Sequence, residues 1–412
     1  MSKPHQHKET SKLAYVVIDQ VFTSLVTALT AIVLARTYLK TDYADLVLLF
    51  SIAVFILGFQ SAVISKPYAI NLNDFQQDEV NEYYRFNFLL KLLFTIATII
   101  IFPIIYYLVF NNWNTIQLLL FLTYVLAHTS YFFIRETLLS ERKTSQTAAY
   151  GLSCSLSICA ILLLILFLKL DDIAFYLVSV SLIYVVTCLF YLSNNWGRIG
   201  KITRGFNTFW KVNWNEGKWL AGANFLFYLS SGVYPWLLLY LTTKEDIAIY
   251  GALMSLGNLA TPLSKALSSY LLPLFVKMNK DIRLLNHTVK LWSLLFGVIA
   301  FTLISIGFLL GQAIVELLFG EKYNGLEALV IFPFIFQAIN IIFQPCRVAL
   351  YAVKRTDISF WILIPRSLIA LGLGYYLVSN YGIIGVFYTM VIENIVHQSL
   401  NLFMYKSIVR NK

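Results

Sequence analysis

Residues 194–217 read NNWGRIGKITRGFNTFWKVNWNEG, the longest polar stretch inside the chain. It carries Arg198, Lys201, Arg204 and Lys211 together with Trp196, Phe206, Phe209, Trp210 and Trp214. A cationic segment with aromatic rings suits an anionic membrane surface, where the rings sit at headgroup depth and each basic residue is drawn to lipid charge. A plain linker between two halves is compatible with the same residues, and both alternatives stand at this point.

Outward from this stretch lie apolar runs of about 20 residues, each long enough to cross a hydrocarbon core. N-terminal to it they fall near 13–36, 44–65, 87–110, 115–138, 147–168 and 173–193. C-terminal to it they fall near 219–241, 247–275, 288–311, 325–350, 357–378 and 383–405. The expected fold is all-α integral membrane, with about twelve transmembrane helices in two groups of six. The expected organisation is an N-terminal six-helix lobe over 1–193, a basic aromatic cytoplasmic linker over 194–217 and a C-terminal six-helix lobe over 218–412.

Composition points the same way. The chain is 59% hydrophobic and 13% charged, with mean hydropathy +0.72, whereas a soluble domain carries roughly a quarter charged residues. The polar start MSKPHQHKETSK runs straight into apolar residues with no short h-region and cleavage site before it, so residue 13 onward reads as a retained span. Cys154, Cys159, Cys188 and Cys346 lie in apolar runs without a CxxC pair, as small buried hydrophobes do.

A net charge of +10 on a soluble protein would suggest nucleic acid. Here its placement matters more, and no nucleic-acid partner is expected. With the N-terminus cytoplasmic, the inside segments gather clusters such as Arg142 and Lys143, then Arg198 to Lys218, then Lys277, Lys280, Arg283 and Lys290. The outside turns hold Arg36, Lys40, Lys169, Lys244 and Lys322. This bias orients both termini to the cytoplasm. The outside turns are short, so no large extracytoplasmic domain is expected. The turns TYLKTDYAD after Arg36 and TTKEDIAIYG after Leu241 are weakly alike, which suggests duplicated halves.

An ionisable group at the centre of a spanning helix costs about 2.5–3.5 kcal/mol by insertion scales, so it must face protein or water. Asp19, Lys91, His128, Arg135, Glu136, Lys265, Arg347, Arg366, Glu393 and His397 are such groups. In the eighth span Gly251, Met254, Asn258, Thr261 and Lys265 follow helical spacing and share one small, polar face, with Pro262 set to kink it. Asn224, Tyr228, Ser231 and Pro235 form a similar stripe on the seventh, and Gln20, Ser24 and Thr27 on the first. These stripes either line a hydrated cavity or pack helix on helix. Lys265 has no acid within one turn and invites an anion. Lys91, one turn into its span, is expected to snorkel. Arg347 and Arg366, each after a proline, are expected to pair with each other or to anchor helix ends. Glu393 and His397 are four apart and can share a proton, as a relay or a buried clamp. Asp19 is a candidate coupling carboxylate.

No GxxxxGK[ST], HExxH, GxSxG or Cys/His metal spacing occurs. No cofactor, no metal and no catalytic constellation is expected, and the chain reads as a transporter rather than an enzyme.

Four stretches carry a resemblance: IVLARTYLKTDYADL (32–46), RETLLSERKTSQTAAYG (135–151), GKWLAGANFLFYLSSGVYPWLLLYLTTKEDIAIYGAL (217–253) and SYLLPLF (269–275). With the length and the six-plus-six split, the chain resembles the polysaccharide transporters of the multidrug/oligosaccharidyl-lipid/polysaccharide (MOP) superfamily, in particular the Wzx-type O-antigen flippases. The resemblance implies two six-helix, MATE-like lobes around a central cavity lined by helices 1, 2, 7 and 8. It implies an undecaprenyl-diphosphate-linked glycan as substrate, alternating access, ion coupling and a bacterial inner-membrane location. Membrane lipids, and the polymerase and chain-length proteins of the same glycan pathway, are the implied partners. A cationic cavity in such flippases matches Lys265, Arg36 and Lys66, with Arg135, Asn258, Asn224 and Tyr228 as further substrate-binding candidates. Asp19, Glu393 and His397 are the ion-coupling candidates. Peptidoglycan-precursor flippases are relatives that usually carry about two more helices than the count here. The alternatives are a multidrug/cation antiporter of the same superfamily, which the intramembrane Lys and Arg disfavour, and a membrane glycan polymerase or acyltransferase.

Overall fold

In the computed structural model, residues 3–110, 114–198, 206–278, 281–353 and 357–410 are described. Lys201, Arg204, Lys280, Lys354, Arg355 and Lys412 lie outside them, as does the side chain of Lys265. Among the described residues the chain is helical, with short 3-10 and π segments and no strand. The helices are α1 (Lys3–Thr37), α2 (Lys40–Gln60), α3 (Lys66–Asn71), α4 (Gln77–Phe110), α5 (Thr115–Ser140), α6 (Thr144–Leu168), α7 (Ile173–Asn194), α8 (Phe206–Ser231), α9 (Tyr234–Leu241), α10 (Lys244–Asn258), α11 (Thr261–Met278), α12 (Ile282–Phe319), α13 (Glu327–Ile342), α14 (Gln344–Ala352), α15 (Asp357–Tyr381) and α16 (Ile383–Arg410).

Ten helical stretches among the described residues are long and apolar enough to cross a membrane. Their outer faces carry bare hydrophobic side chains such as Phe301 and Phe308 on α12, which only lipid solvates without cost. This is a multi-pass membrane protein. The expected seventh and eighth spans are not among the ten, and each is divided into two helices, α8 with α9 and α10 with α11.

A proline follows each break, although Pro103, Pro333 and Pro365 lie inside α4, α13 and α15 without dividing them. A proline lacks an N–H and its ring clashes with the carbonyl four residues back. Pro235 stands four residues after Ser231, where α8 ends, and Pro262 four after Asn258, where α10 ends. Pro345 opens α14 in the same way. Pro67 follows Ser61–Ser65, a π-helical turn in the second span, and opens α3. The kink expected at Pro262 is thus a full interruption, and the polar stripe expected along the eighth span is divided between α10 and α11. The aromatic part of the 194–217 stretch is helical, as the first turns of α8.

The chain forms two compact units: residues 1–26 with 49–225, and residues 27–48 with 226–412. In the first, α5 is central. Tyr131 stacks on Tyr150 at 4.9 Å and lies 5.0 Å from Tyr184, and His128 stacks on Tyr124 at 5.6 Å. In the second, α12 lies against α13 through two glycines. A Cβ at Gly307 would sit 2.6 Å from the Phe334 ring, and one at Gly311 2.6 Å from Val330. Leu271, Phe275, Phe296, Ile341 and Tyr405 fill the core beside this seam.

Candidate functional site

Among the described residues, each unit holds a buried arginine–carboxylate pair within its spans. In the first, Asp19 on α1 is 1% exposed and meets Arg135 on α5. Arg135 donates from Nε to Oδ1 at 3.3 Å and from Nη2 to Oδ2. Gly151 on α6 makes the room, since a Cβ there would lie 2.0 Å from Asp19 Oδ1. Both carboxylate oxygens are used, in the forked geometry that suits a guanidinium. The coupling candidate Asp19 and the substrate-binding candidate Arg135 are therefore bound to each other.

In the second unit Arg366 on α15 donates from Nη2 to Glu393 Oε1 on α16 at 2.9 Å. Glu393 Oε2 and Arg366 Nε are buried and unpartnered, and so are Tyr234 Oη, His397 Nδ1 and Gln398 Oε1. Gln398 donates to Asn340 Oδ1 at 3.0 Å and to Asn394 Oδ1 at 3.2 Å, and Arg347 donates to the Asn340 carbonyl at 3.2 Å. The four-residue spacing that suggested a shared proton between Glu393 and His397 does not produce a hydrogen bond between them. Arg366, 27 residues earlier in the chain, takes the carboxylate instead. Arg347 and Arg366 do not pair with each other.

Lys91 does not snorkel. It is 3% exposed on α4, and its ammonium donates inward to Thr129 Oγ1 on α5 at 3.0 Å. Gln60 on α2 donates to the Thr129 carbonyl at 2.9 Å, so Thr129 is the shared anchor.

The π turn of the second span has its own polar shell. Ser61 donates to Glu136 Oε1 on α5 at 3.1 Å. Asn213 on α8 donates to the Val63 carbonyl at 3.4 Å, the carbonyl four residues before Pro67, and to Asn87 Oδ1 at 2.8 Å. Tyr83 donates to Asn213 Oδ1. Gly217 lets α8 approach, with its Cβ position 3.4 Å from the Ala62 carbonyl. One local signal marks this assembly in the sequence, the SAVISKP run, in which two serines four apart precede a proline.

Outside the spans, Glu141 is held by Arg198 at 2.6 Å, Lys143 at 2.6 Å and the Tyr68 hydroxyl at 2.7 Å. Burial pushes its carboxyl up, but the hydrogen bonds from Arg198 and Lys143 outweigh that and leave it below the usual carboxylate range. Arg198 also lies over the Tyr84 ring at 4.1 Å.

The remaining candidates are placed as follows. Arg36 is exposed at the end of α1 and donates to the Leu317 carbonyl at 2.6 Å. Lys66 is exposed at the start of α3, and Asn258 is exposed at the end of α10. Asn224 is half-buried on α8 against Gly58 of α2, with Nδ2 unpartnered. Tyr228 follows one turn later on α8 and is half-buried. Lys265 lies on α11 with its side chain outside the described residues.

A sequence profile of a family described as polysaccharide biosynthesis protein matches residues 57–328. No curated protein is similar to the chain in sequence. Among solved structures, an inward-facing multidrug-resistance MATE transporter of the MOP superfamily superposes with TM-score 0.74 at 12% identity, over 97% of this chain and 98% of that one. The lipid II flippase MurJ, in an inward closed conformation, does so with TM-score 0.72 at 14% identity, over 96% and 87%. A point mutant of the Vibrio cholerae MATE transporter VcmN gives 0.63 at 11%, over 98% and 96%. At these identities the likeness is one of fold: nearly the whole chain has a MATE- and MurJ-like fold.

Proposed function

The chain belongs to the polysaccharide biosynthesis protein family, and from that premise we propose that it is a flippase for a lipid-linked oligosaccharide. The substrate is an undecaprenyl-diphosphate-linked repeat unit of O-antigen or a related surface glycan. It moves from the cytoplasmic to the outer leaflet of the bacterial inner membrane by alternating access, with both termini cytoplasmic. The observation that carries this reading is the family match joined to a fold shared along nearly the whole chain with a lipid II flippase.

The physics supports it. A diphosphate with several sugars cannot cross hydrocarbon unaided, because each unsatisfied polar group costs several kcal/mol there. Fixed cations offset the phosphate charge, and Asn and Tyr side chains replace sugar hydration. Lys265, Arg36 and Lys66 are proposed for the first role, and Asn224, Tyr228 and Asn258 for the second. Arg135 and Arg366 already hold carboxylates, so their charge is committed within the protein. Glu393, with one oxygen unpartnered, remains a candidate for ion coupling.

Glycan analysis of a deletion strain tests the reading. Lipid-linked repeat units accumulating on the cytoplasmic face support a flippase. Single units reaching the outer surface unpolymerised would instead assign the chain to polymerisation. Lys265→Ala is expected to abolish export while the protein stays in the membrane, and wild-type export by that variant would remove Lys265 from the substrate path.

A further inference from the structure

Two carboxylates in the first unit compete for one arginine. Asp19 and Glu136 both lie near Arg135, and Asp19 takes it with both oxygens. Glu136, the next residue along α5, is left without an ion pair among the described residues. Its Oε1 accepts one hydrogen bond from Ser61, and its Oε2 is out of solvent reach and has no partner. Ser65, one turn on in the π segment, lies beside the same carboxyl with its Oγ buried. Among the described residues, Lys66 at the end of the π turn and Arg135 itself are cations that act on it. Farther along α5, Glu141 is fully engaged by Arg198, Lys143 and Tyr68.

We propose that Glu136, seated between Ser61 and Ser65 on the π turn of the second span, is the proton-binding acid of this transporter, and that Asp19 is a structural partner of Arg135. This assignment rests on the transport reading above and names its coupling residue. Asp19 cannot take a proton without leaving a buried guanidinium unpaired. Glu136 can, because the proton enters on the oxygen that has no partner and breaks no ion pair. The charge of the site then changes by one, with the serine hydroxyl at Oε1 kept.

The occupant is a proton rather than a metal ion. A hard cation takes six or more oxygen ligands or retained waters, and this cluster offers one carboxylate and two hydroxyls with two cations close by. The placement gives the proton something to act on. A π turn is a local departure from α-helical pairing that is common at functional positions, and here Pro67 and the Asn213 amide hold it. Loss of charge at Glu136 removes the anion against which Lys66 and Ser65 are set, so protonation biases the geometry of the second span.

The test uses the full chain in lipid nanodiscs, by infrared difference spectroscopy between acidic and alkaline buffer. The wild type is expected to show a carbonyl stretch of a protonated, buried carboxylic acid that Glu136→Gln lacks and Asp19→Asn keeps. Ser65→Ala is expected to move its midpoint pH, a response that a merely structural carboxyl would not give. If Glu136→Gln keeps the whole wild-type band, or Asp19→Asn that is folded in the nanodisc, by an unchanged amide band, lacks it, the assignment is wrong. In cells, glycan export by the wild type is expected to fall when a protonophore collapses the gradient, and residual export by Glu136→Gln to ignore the protonophore. Export by that variant that still tracks the gradient overturns the proposal while leaving the flippase reading intact. A band assigned to Glu136 in a chain whose deletion leaves glycan export untouched does the reverse.

Discussion

The two buried arginine–carboxylate pairs look alike as contacts and differ in chemistry. Arg135–Asp19 is forked, uses both carboxylate oxygens and leaves no buried atom of either side chain unpartnered. Arg366–Glu393 makes one hydrogen bond and leaves Glu393 Oε2 and Arg366 Nε unmet, with His397 Nδ1 and Tyr234 Oη bare nearby. A completed pair inside a membrane protein acts as a strut. It ties α1 to α5, and removing either end strands a charge. A half-made pair keeps capacity for water or a proton, since bare buried polar atoms are where ordered water binds.

The largest expected effect breaks the complete pair. Asp19→Asn is expected to cost about 3–5 kcal/mol, the usual result of stranding one buried charge. It should be read as a fall in thermal stability in detergent or a loss of protein from the membrane. Arg135→Gln added to it should recover part of the loss, and additive losses would show that the fork contributes nothing. Glu393→Gln is expected to cost less, about 1–3 kcal/mol, because its amide can still accept from Arg366 and one oxygen was never satisfied. Equal losses in the two variants would erase the distinction between the pairs.

The smallest effect belongs to the ion cluster outside the spans. The carboxyl of Glu141 is held below the usual range, so its contribution is fully present above about pH 4.5, the ordinary carboxylate value, and is lost as pH falls through its lowered value. Glu141→Gln is expected to flatten the acid limb of the stability–pH curve and to cost about 1 kcal/mol or less at neutral pH. An unchanged acid limb in the variant would remove the cluster from the stability of the first unit.

Much of the architecture was legible. Apolar runs of spanning length read out directly as helices, but Pro262 announced only a kink, and the divisions of the seventh and eighth spans came from the structure. The candidate site was less legible. Helical spacing reports neighbours three and four residues apart, so it proposed Glu393 with His397 and left Lys91 to snorkel. It could not show Arg366 reaching Glu393, Thr129 receiving Lys91, or Arg135 meeting an aspartate 116 residues before it. The π turn at Ser61–Ser65 was hidden for a related reason. Its polar shell is assembled from α4, α5 and α8, and only the proline is local.

By itself the sequence determined that this chain lives in a bilayer as helices. That follows from short-range physics, the cost of wet backbone in lipid, whereas Pro103, Pro333 and Pro365 lie inside α4, α13 and α15 without dividing them, so a proline alone does not say where a helix breaks. Tertiary structure alone decided which carboxylate owns Arg135, which is left over, and which lysine is sealed inside. Those outcomes depend on which helix faces which at ångström range, and a buried charge is settled by its nearest partner in space rather than along the chain.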